Sequence, residues 1–107
     1  MSEFANVSVK LEANIYFDGA VTSRGITLAD GSVKTLGVML PGEYEFGTEV
    51  AELMQISSGH LDLLLPGSSE WHTITDGMQF EVPAAAKFKV RVHQVTNYCC
   101  SYLTSNF

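Results

Sequence analysis

The sequence predicts an all-β fold, and three observations support that prediction. Apolar and polar residues alternate over many short stretches, as they do in strands with one face packed on a core. Gly, Pro and Asp recur between these stretches, where turns would be needed. No window combines a helical period with caps at both ends. We therefore expect about nine or ten short strands arranged as a sandwich or barrel.

Length and composition limit the possible functions. The 107 residues suit a single domain covering 1–107, and 46% hydrophobic with 17% charged residues is typical of a folded globule. The net charge of −6 opposes binding to a nucleic acid polymer or to an anionic membrane. No apolar run approaches the roughly 20 residues of a membrane span, and no secretory leader opens the chain. We expect a cytoplasmic protein.

The first third of the chain contains one weak strand and one clear hairpin. Residues 1–13 alternate weakly and form either an edge strand or a poorly ordered segment. Residues 20–28 predict a strand, with a kink near Arg24-Gly25. Asp30-Gly31 lies between two apolar runs, which predicts that residues 26–28 pair antiparallel with residues 33–40.

The next segment carries the residue that most requires an explanation. Tyr44, Phe46 and Thr48 lie at period 2 and predict a strand. Glu52 then leads directly into an apolar run, and a turn at Ser57–Gly59 is expected to end it. A desolvated, unpaired carboxylate is costly, so Glu52 needs either a partner or a function.

The second half predicts further strands, at residues 61–65, 71–74, 78–82, 88–93 and 98–103. Lys89 and Arg91 alternate with Phe88 and Val90, so they point away from the core. The three histidines are scattered singly and are expected at the surface or at sheet edges: His60, His72 and His93.

The two cysteines, Cys99 and Cys100, are adjacent. In a strand, adjacent side chains point to opposite faces, so a disulfide between them would be strained. Free thiols are expected. A redox pair or half of a metal site is the alternative, although no CxxC spacing supports it.

The spacing of several motifs resembles a known family. Glu52 and Gly59, separated by six residues, match the end of the first cupin motif, and Gly77 and Pro83, separated by five, match the start of the second. The strings GVMLPGEYEF, ISSGHLDLLLPG, FEVP and YCCSYL, with the lone Trp71, resemble the small cupins known as pyrimidine/purine nucleoside phosphorylases, over about residues 14–103. The resemblance implies a cupin-type jelly-roll β-barrel.

The same resemblance implies phosphate-dependent cleavage of purine and pyrimidine nucleosides to free base and ribose 1-phosphate. Most cupin enzymes hold a metal with three histidines and a glutamate. The corresponding positions here lie near Phe46, Thr48 and Phe88, and Glu52 is the one ligand retained. Since one carboxylate cannot hold a first-row metal that needs about four ligands, we expect no metal and no cofactor, with inorganic phosphate as co-substrate.

Phosphorolysis through an oxocarbenium-like sugar requires aromatic faces for the base, an acid for the sugar and donors for phosphate. Glu52 is the expected catalytic residue. The expected substrate-binding residues are Phe46, Thr48, Phe88, Tyr98 and Tyr102. The best cations for phosphate are Arg24 and then Lys34. Each has a structural alternative: barrel packing for the aromatic residues, a carboxylate bonded to backbone N–H groups for Glu52, and a solvated surface charge for the cations.

Two other classes of function remain open from the sequence. The chain could be a metal-free cupin module that binds a small metabolite without catalysis, or a structural dimerisation domain with a filled barrel. We also expect a homodimer, because pairing would cover edge strands near residues 7–17.

Overall fold

Two long strands organise the fold. The computed structural model describes residues 3–103. Within that range, β6 (Ala51–Leu64) and β9 (Lys87–Leu103) pair antiparallel along most of their length. Shorter strands attach to both edges of this pair, and the regular helical structure is limited to one 3₁₀ turn, Phe17–Gly19. The all-β prediction is confirmed.

The shorter strands form hairpins or edges around the long pair. Their bounds are β1 (Ser8–Val9), β2 (Asn14–Tyr16), β3 (Val21–Thr27), β4 (Val33–Met39), β5 (Gly42–Gly47), β7 (His72–Thr75) and β8 (Gln79–Val82). β1 is the edge strand expected in the first 13 residues, and it pairs with the end of β3. None of the described helices could cross a membrane.

The long strands belong to two layers at once. The C-terminal half of β9 pairs with β4 and its N-terminal half with β5. In the same way, β6 pairs with β8 near its start and with β7 near its end. One layer therefore runs from β1 and β2 through β3, β4, β9 and β6 to β8, and the other runs β5, β9, β6, β7. This is a jelly-roll arrangement of antiparallel strands.

The bend in the long strands replaces a turn that the sequence predicted. Ser57–Gly59 does not end β6, because the strand continues with three register shifts against β9 between Ile56 and Leu61. Gly59 has φ +135°, and a Cβ there would lie 2.6 Å from Cα of the fully buried Thr96. The glycine therefore lets the two strands approach closely where they bend. Likewise, the strands predicted at 88–93 and 98–103 are one strand, β9.

The predicted hairpin is present as β3 and β4. Their pairing runs unbroken from Val21↔Met39 to Thr27↔Val33, so the kink expected at Arg24-Gly25 is wrong. Gly25 instead accommodates the N-terminal segment. The backbone N–H of Lys10 donates to the Gly25 carbonyl at 2.9 Å, and a Cβ on Gly25 would lie 3.3 Å from Lys10 Cγ.

The core lies between the two layers, and one end of it is aromatic. Aliphatic side chains that are almost completely buried fill most of it, among them Val21, Met39, Ile56, Leu61, Leu63, Val82 and Val90. At the aromatic end, neighbouring rings have centroids 4.9 to 6.2 Å apart: Phe17, Tyr44, Phe46, Phe80 and Phe88. This cluster forms part of the wall of a cavity.

Candidate active site

A cavity of about 160 Å³ lies beside the aromatic end of the core. Strands β2 to β6 and β9 all contribute to its lining. The lining residues are Tyr16, Ser23, Thr35, Met39, Phe46, Gly47, Glu52, Met54, Phe88, Tyr98, Cys100 and Tyr102. Glu52 is the one residue in this set that bears a formal charge at neutral pH, and no Lys, Arg or His belongs to it.

Glu52 enters this cavity from the start of β6. It lies opposite Tyr102 on β9 and opposite Val82 on β8. Burial raises the pKa of its carboxyl, while a hydrogen bond from Cys100 Sγ to Oε1, at 3.4 Å, acts in the opposite direction. Within residues 3–103 no backbone N–H donates to this carboxylate. The structural alternative, a carboxylate held by backbone N–H groups, therefore does not describe Glu52.

Beside Glu52 the cavity has an edge of neutral donors. Burial, followed by the nearby Glu52 charge, raises the pKa of the Cys100 thiol to about 12. Burial also raises the pKa of Tyr102, whose hydroxyl lies 3.2 Å from Thr35 Oγ1. Both Cys100 and Tyr102 are therefore protonated at neutral pH and can donate. We call Thr35, Cys100 and Tyr102 the hydroxyl–thiol edge.

Tyr98 is a fixed wall of the cavity. Its ring crosses Gly37 on β4, where a Cβ would lie 2.5 Å from the ring carbon Cζ. Its hydroxyl donates to the backbone carbonyl of Thr22 at 3.2 Å. Burial raises the pKa of Tyr98, so the phenol stays protonated. A glycine at position 37 is thus required for the shape of this wall.

The two predicted phenylalanines differ in how much surface they offer a ligand. The rings of Phe46 and Phe88 are 5.5 Å apart, and Phe88 also packs at 6.1 Å against Phe80. Phe88 is only 3% exposed, whereas Phe46 is half-buried. Phe88 is therefore mainly a packing residue behind the cavity, and Phe46 presents more of its ring to it.

Thr48 does not line the cavity, although the sequence placed it beside Glu52. Its side chain is buried, and Oγ1 donates to the Pro83 carbonyl at 2.6 Å and accepts the Ala86 N–H at 3.1 Å. It therefore ties the end of β5 to the loop between β8 and β9. Its hydroxyl is already used by these bonds, so the structure does not support its expected contact with substrate.

The two cations predicted to bind phosphate lie on the other face of the sheet. Arg24 follows Ser23, and Lys34 precedes Thr35; since Ser23 and Thr35 line the cavity, alternation points both cations outward. Arg24 is exposed, and Lys34 Nζ donates to Ser101 Oγ at 2.5 Å. Their placement is at odds with phosphate binding beside Glu52.

Sequence reasoning missed several lining residues, of which Tyr16, Thr35 and Cys100 carry chemistry. For Cys100 a signal was available, because it lies between Tyr98 and Tyr102 at period 2 and so shares their face. Thr35 lines the cavity because β4 pairs with β9 and places it opposite Cys100. That register cannot be read from the sequence.

The bent long strands and the cavity between the layers define a small cupin. The cupin domain of a Schizosaccharomyces pombe protein superposes with a TM-score of 0.63 at 12% identity, covering 85% of this chain and 64% of that one. A protein of unknown function from Acinetobacter sp. ADP1 superposes with a TM-score of 0.91 at 35% identity, covering 94% of this chain and 98% of that one.

Sequence comparison identifies the family within this class. The family model for pyrimidine/purine nucleoside phosphorylase matches residues 11–102. A protein of that name from Sulfurovum sp. is 65% identical over 96% of this chain and 100% of its own length, and one from Geotalea uraniireducens is 59% identical over 96% and 99%. The chain belongs to the pyrimidine/purine nucleoside phosphorylase family, which confirms the resemblance seen in the sequence.

The cavity residues do not fit the metal site of a metal-dependent cupin. A tightly bound first-row metal needs about four ligands, drawn mainly from imidazole, thiolate and carboxylate groups. The lining offers one carboxylate, Glu52, and one thiol, Cys100, whose raised pKa disfavours the thiolate that a metal would require.

Proposed function

We propose that the protein is a nucleoside phosphorylase of broad specificity, a pentosyltransferase that cleaves purine and pyrimidine nucleosides with phosphate to free base and ribose 1-phosphate. One observation carries this proposal: the cavity joins aromatic surface to a single half-buried carboxylate, Glu52. The activity named for the relatives requires these two elements. The reaction uses inorganic phosphate as co-substrate and, on this proposal, no metal and no other cofactor.

The base binds against aromatic surface. Phe46 offers a half-buried ring inside the cavity, and Tyr16 offers an exposed one at its mouth. Stacking tolerates different bases because every base has a π-face, which suits acceptance of both purines and pyrimidines. Ligand pockets usually enclose about 300–1,000 Å³. A cavity of about 160 Å³ encloses one ring system and leaves the remainder of a nucleoside at the mouth.

Glu52 stabilises the sugar in the transition state. A phosphate oxygen forms a bond to the anomeric carbon as the bond to the base nitrogen breaks, and the departing base takes that electron pair. Positive charge develops on the sugar in between. A carboxylate in a partly desolvated site interacts with that charge more strongly than it would in water, and it is already in place when the charge appears.

The hydroxyl–thiol edge is the donor set that we assign to phosphate. Thr35 and Tyr102 line the cavity near Glu52, whereas Arg24 and Lys34 do not. Hydroxyl groups are weaker phosphate partners than cations, which implies modest affinity for phosphate. In the transition state the positive sugar lies between phosphate and Glu52 and so reduces the repulsion between their negative charges.

We also propose that the enzyme is a cytoplasmic homodimer. Large apolar side chains are exposed on or near the outer surface of the β1–β3–β4 region, including Phe4, Val9 and Leu36. A second copy would cover them together with the β1 edge. Both cysteines are free thiols, which suits a reducing compartment. Light scattering at micromolar concentration tests the dimer, and a monomeric mass would contradict it.

The activity is tested by incubating the purified protein with uridine or inosine, with and without phosphate, and measuring free base and ribose 1-phosphate. Both products should appear only with phosphate, and they should persist after prolonged chelation. Activity lost on chelation and restored by one metal would refute the metal-independent reaction. A nucleoside that raises the melting temperature without release of base would instead indicate a binding module. If no nucleoside is cleaved or raises the melting temperature, the protein would instead be a structural dimerisation domain.

A further inference from the structure

Three potential metal ligands meet on the surface, outside the cavity. His60 and Asp62 are two residues apart on β6 and so share a face, and His93 comes from the neighbouring β9. The two imidazole rings have centroids 4.7 Å apart, and His93 Nε2 lies 2.8 Å from Asp62 Oδ2. One potential ligand atom from each residue lies within 4.8 Å of the other two. We call these residues the His–Asp–His cluster.

A β-bulge lies within this cluster. The pairing of β6 with β9 shifts from His60↔Gln94 to Leu61↔Val92, so His93 is the unpaired extra residue on β9. Bulges redirect side chains and are common beside functional sites. Arg91 lies opposite Asp62 and His93 follows Arg91 at period 2, so alternation along β9 places His93 on the face that carries His60 and Asp62.

We propose that the His–Asp–His cluster binds one first-row transition-metal ion, for which Zn²⁺ is the probe. Two imidazoles and one carboxylate form a donor set that such ions accept, and the remaining coordination positions face solvent. Tetrahedral Zn²⁺ with bonds of about 2.0–2.2 Å would place its ligand atoms about 3.3 Å apart. The three ligand atoms now lie within 4.8 Å of one another, so side-chain rotations would have to close the remaining gap.

Asp62 is already oriented for this role. Thr73 on β7 donates to Asp62 Oδ1 at 3.2 Å, which leaves Oδ2 directed at His93. Such hydrogen bonds to a ligand, from residues that do not touch the metal, fix its orientation. A bound metal would take the place of the direct contact between His93 Nε2 and Asp62 Oδ2.

The cation opposite Asp62 is held by other partners. Arg91 lies opposite Asp62 in the register of β6 and β9. Its Nε donates to Glu43 Oε1 at 2.7 Å, and its guanidinium lies 3.8 Å from the centre of the Trp71 ring. In the part of the chain that the structure describes, Asp62 has one ion-pair partner, His93. The carboxylate is therefore available to a metal.

The test is a calorimetric titration of the full chain with Zn²⁺. We expect one equivalent to bind, and His93→Ala and Asp62→Asn each to weaken binding more than tenfold. Thr73→Val, which removes only the orienting hydrogen bond, should weaken it about tenfold. His72→Ala is the matched control, because His72 is also an exposed histidine but lies outside the cluster; it should bind as the unaltered protein does. Circular dichroism confirms that each variant is folded.

Cobalt distinguishes this cluster from the two thiols. The Co²⁺ form should show no sulfur-to-metal charge-transfer band, because Cys99 and Cys100 are not ligands. The proposal is overturned if Zn²⁺ does not bind, if binding survives in His93→Ala, or if the Co²⁺ form shows the sulfur band.

Discussion

Strand β6 carries two carboxylates, and their surroundings shift their pKa values in opposite directions. Glu52, at its start, points into the cavity; burial raises its pKa, and its one described partner is a thiol at 3.4 Å. Asp62, near its end, lies on the outer surface; hydrogen bonds lower its pKa, from His93 at 2.8 Å and Thr73 at 3.2 Å. The fold thus leaves one carboxylate without strong partners where chemistry is proposed, and surrounds the other with partners.

The comparison predicts a large loss of activity when Glu52 is changed. Glu52→Gln keeps the size of the side chain but removes the charge that favours the oxocarbenium-like sugar. Turnover of uridine at saturating phosphate should fall about 10²- to 10³-fold. Stability should stay the same or rise, because an amide does not have to be desolvated as an ion. Steady-state kinetics beside a urea melt of the same variant measures both effects.

The matched control is Glu81→Gln, which removes the same charge from an exposed position on β8, outside the cavity lining. It should turn over normally. The catalytic role of Glu52 would be refuted by a Glu52→Gln protein that melts early yet turns over normally per folded molecule. The carboxylate would then be structural.

The pKa of Glu52 predicts the acid side of the activity profile. Its folded pKa is raised and the reaction requires the ionised form, so turnover should fall as pH drops through a value above the usual range for glutamate. Stability should change in the opposite sense. The fold favours the protonated carboxyl, so its contribution is largest below the unfolded pKa and declines as pH rises toward the folded pKa.

A kcat profile and urea melts across that pH window test this prediction. The residual activity of Glu52→Gln provides the control, since it still reports the ionisation of phosphate and of other groups. The acid limb should disappear in the variant. An identical limb in both proteins would assign it to a group other than Glu52.

A smaller effect distinguishes the two assignments for phosphate. Thr35→Val preserves shape and removes one hydroxyl of the hydroxyl–thiol edge, so the KM for phosphate should rise several-fold, with little change for the nucleoside. Arg24→Gln and Lys34→Gln should change the KM for phosphate less than twofold, because both side chains point away from the cavity. A large rise in the variants of these cations, with none in Thr35→Val, would restore the assignment made from sequence.

Much of the fold was predictable because alternation and turn residues are local signals. The all-β class, the β3–β4 hairpin and the outward direction of Arg91 all followed from them. The continuity of the long strands did not. The bend at Gly59 depends on close contact with Thr96, which is distant in sequence, and the local Ser-Ser-Gly pattern is typical of a turn.

The candidate site was predictable only where a local signal in the sequence marked a residue. Glu52 was conspicuous as a carboxylate entering an apolar strand, and the structure places it in the cavity. Thr48 follows Phe46 at period 2, as predicted for a shared face. Its hydroxyl, however, donates to the Pro83 carbonyl, a contact between distant segments. His60 and His93 looked scattered, and only the pairing of β6 with β9 brings them together.

The smallest expected effect concerns Asp62 and completes the comparison. Without added metal, Asp62→Asn removes a partly exposed pair with His93, and such pairs contribute about 0–1 kcal/mol to the free energy of unfolding. The folded pKa of Asp62 is lowered, so its contribution is present above the unfolded pKa and is lost as pH falls through the folded pKa. The difference between Asp62→Asn and the unaltered protein should therefore shrink on acidification, in the opposite sense to Glu52. Urea melts in chelator at neutral and acidic pH measure it, with Glu81→Gln as a control for the loss of one negative charge. A difference that grows on acidification would show that the partners of Asp62 do not favour its ionised form, and the contrast between the two carboxylates of β6 would fail.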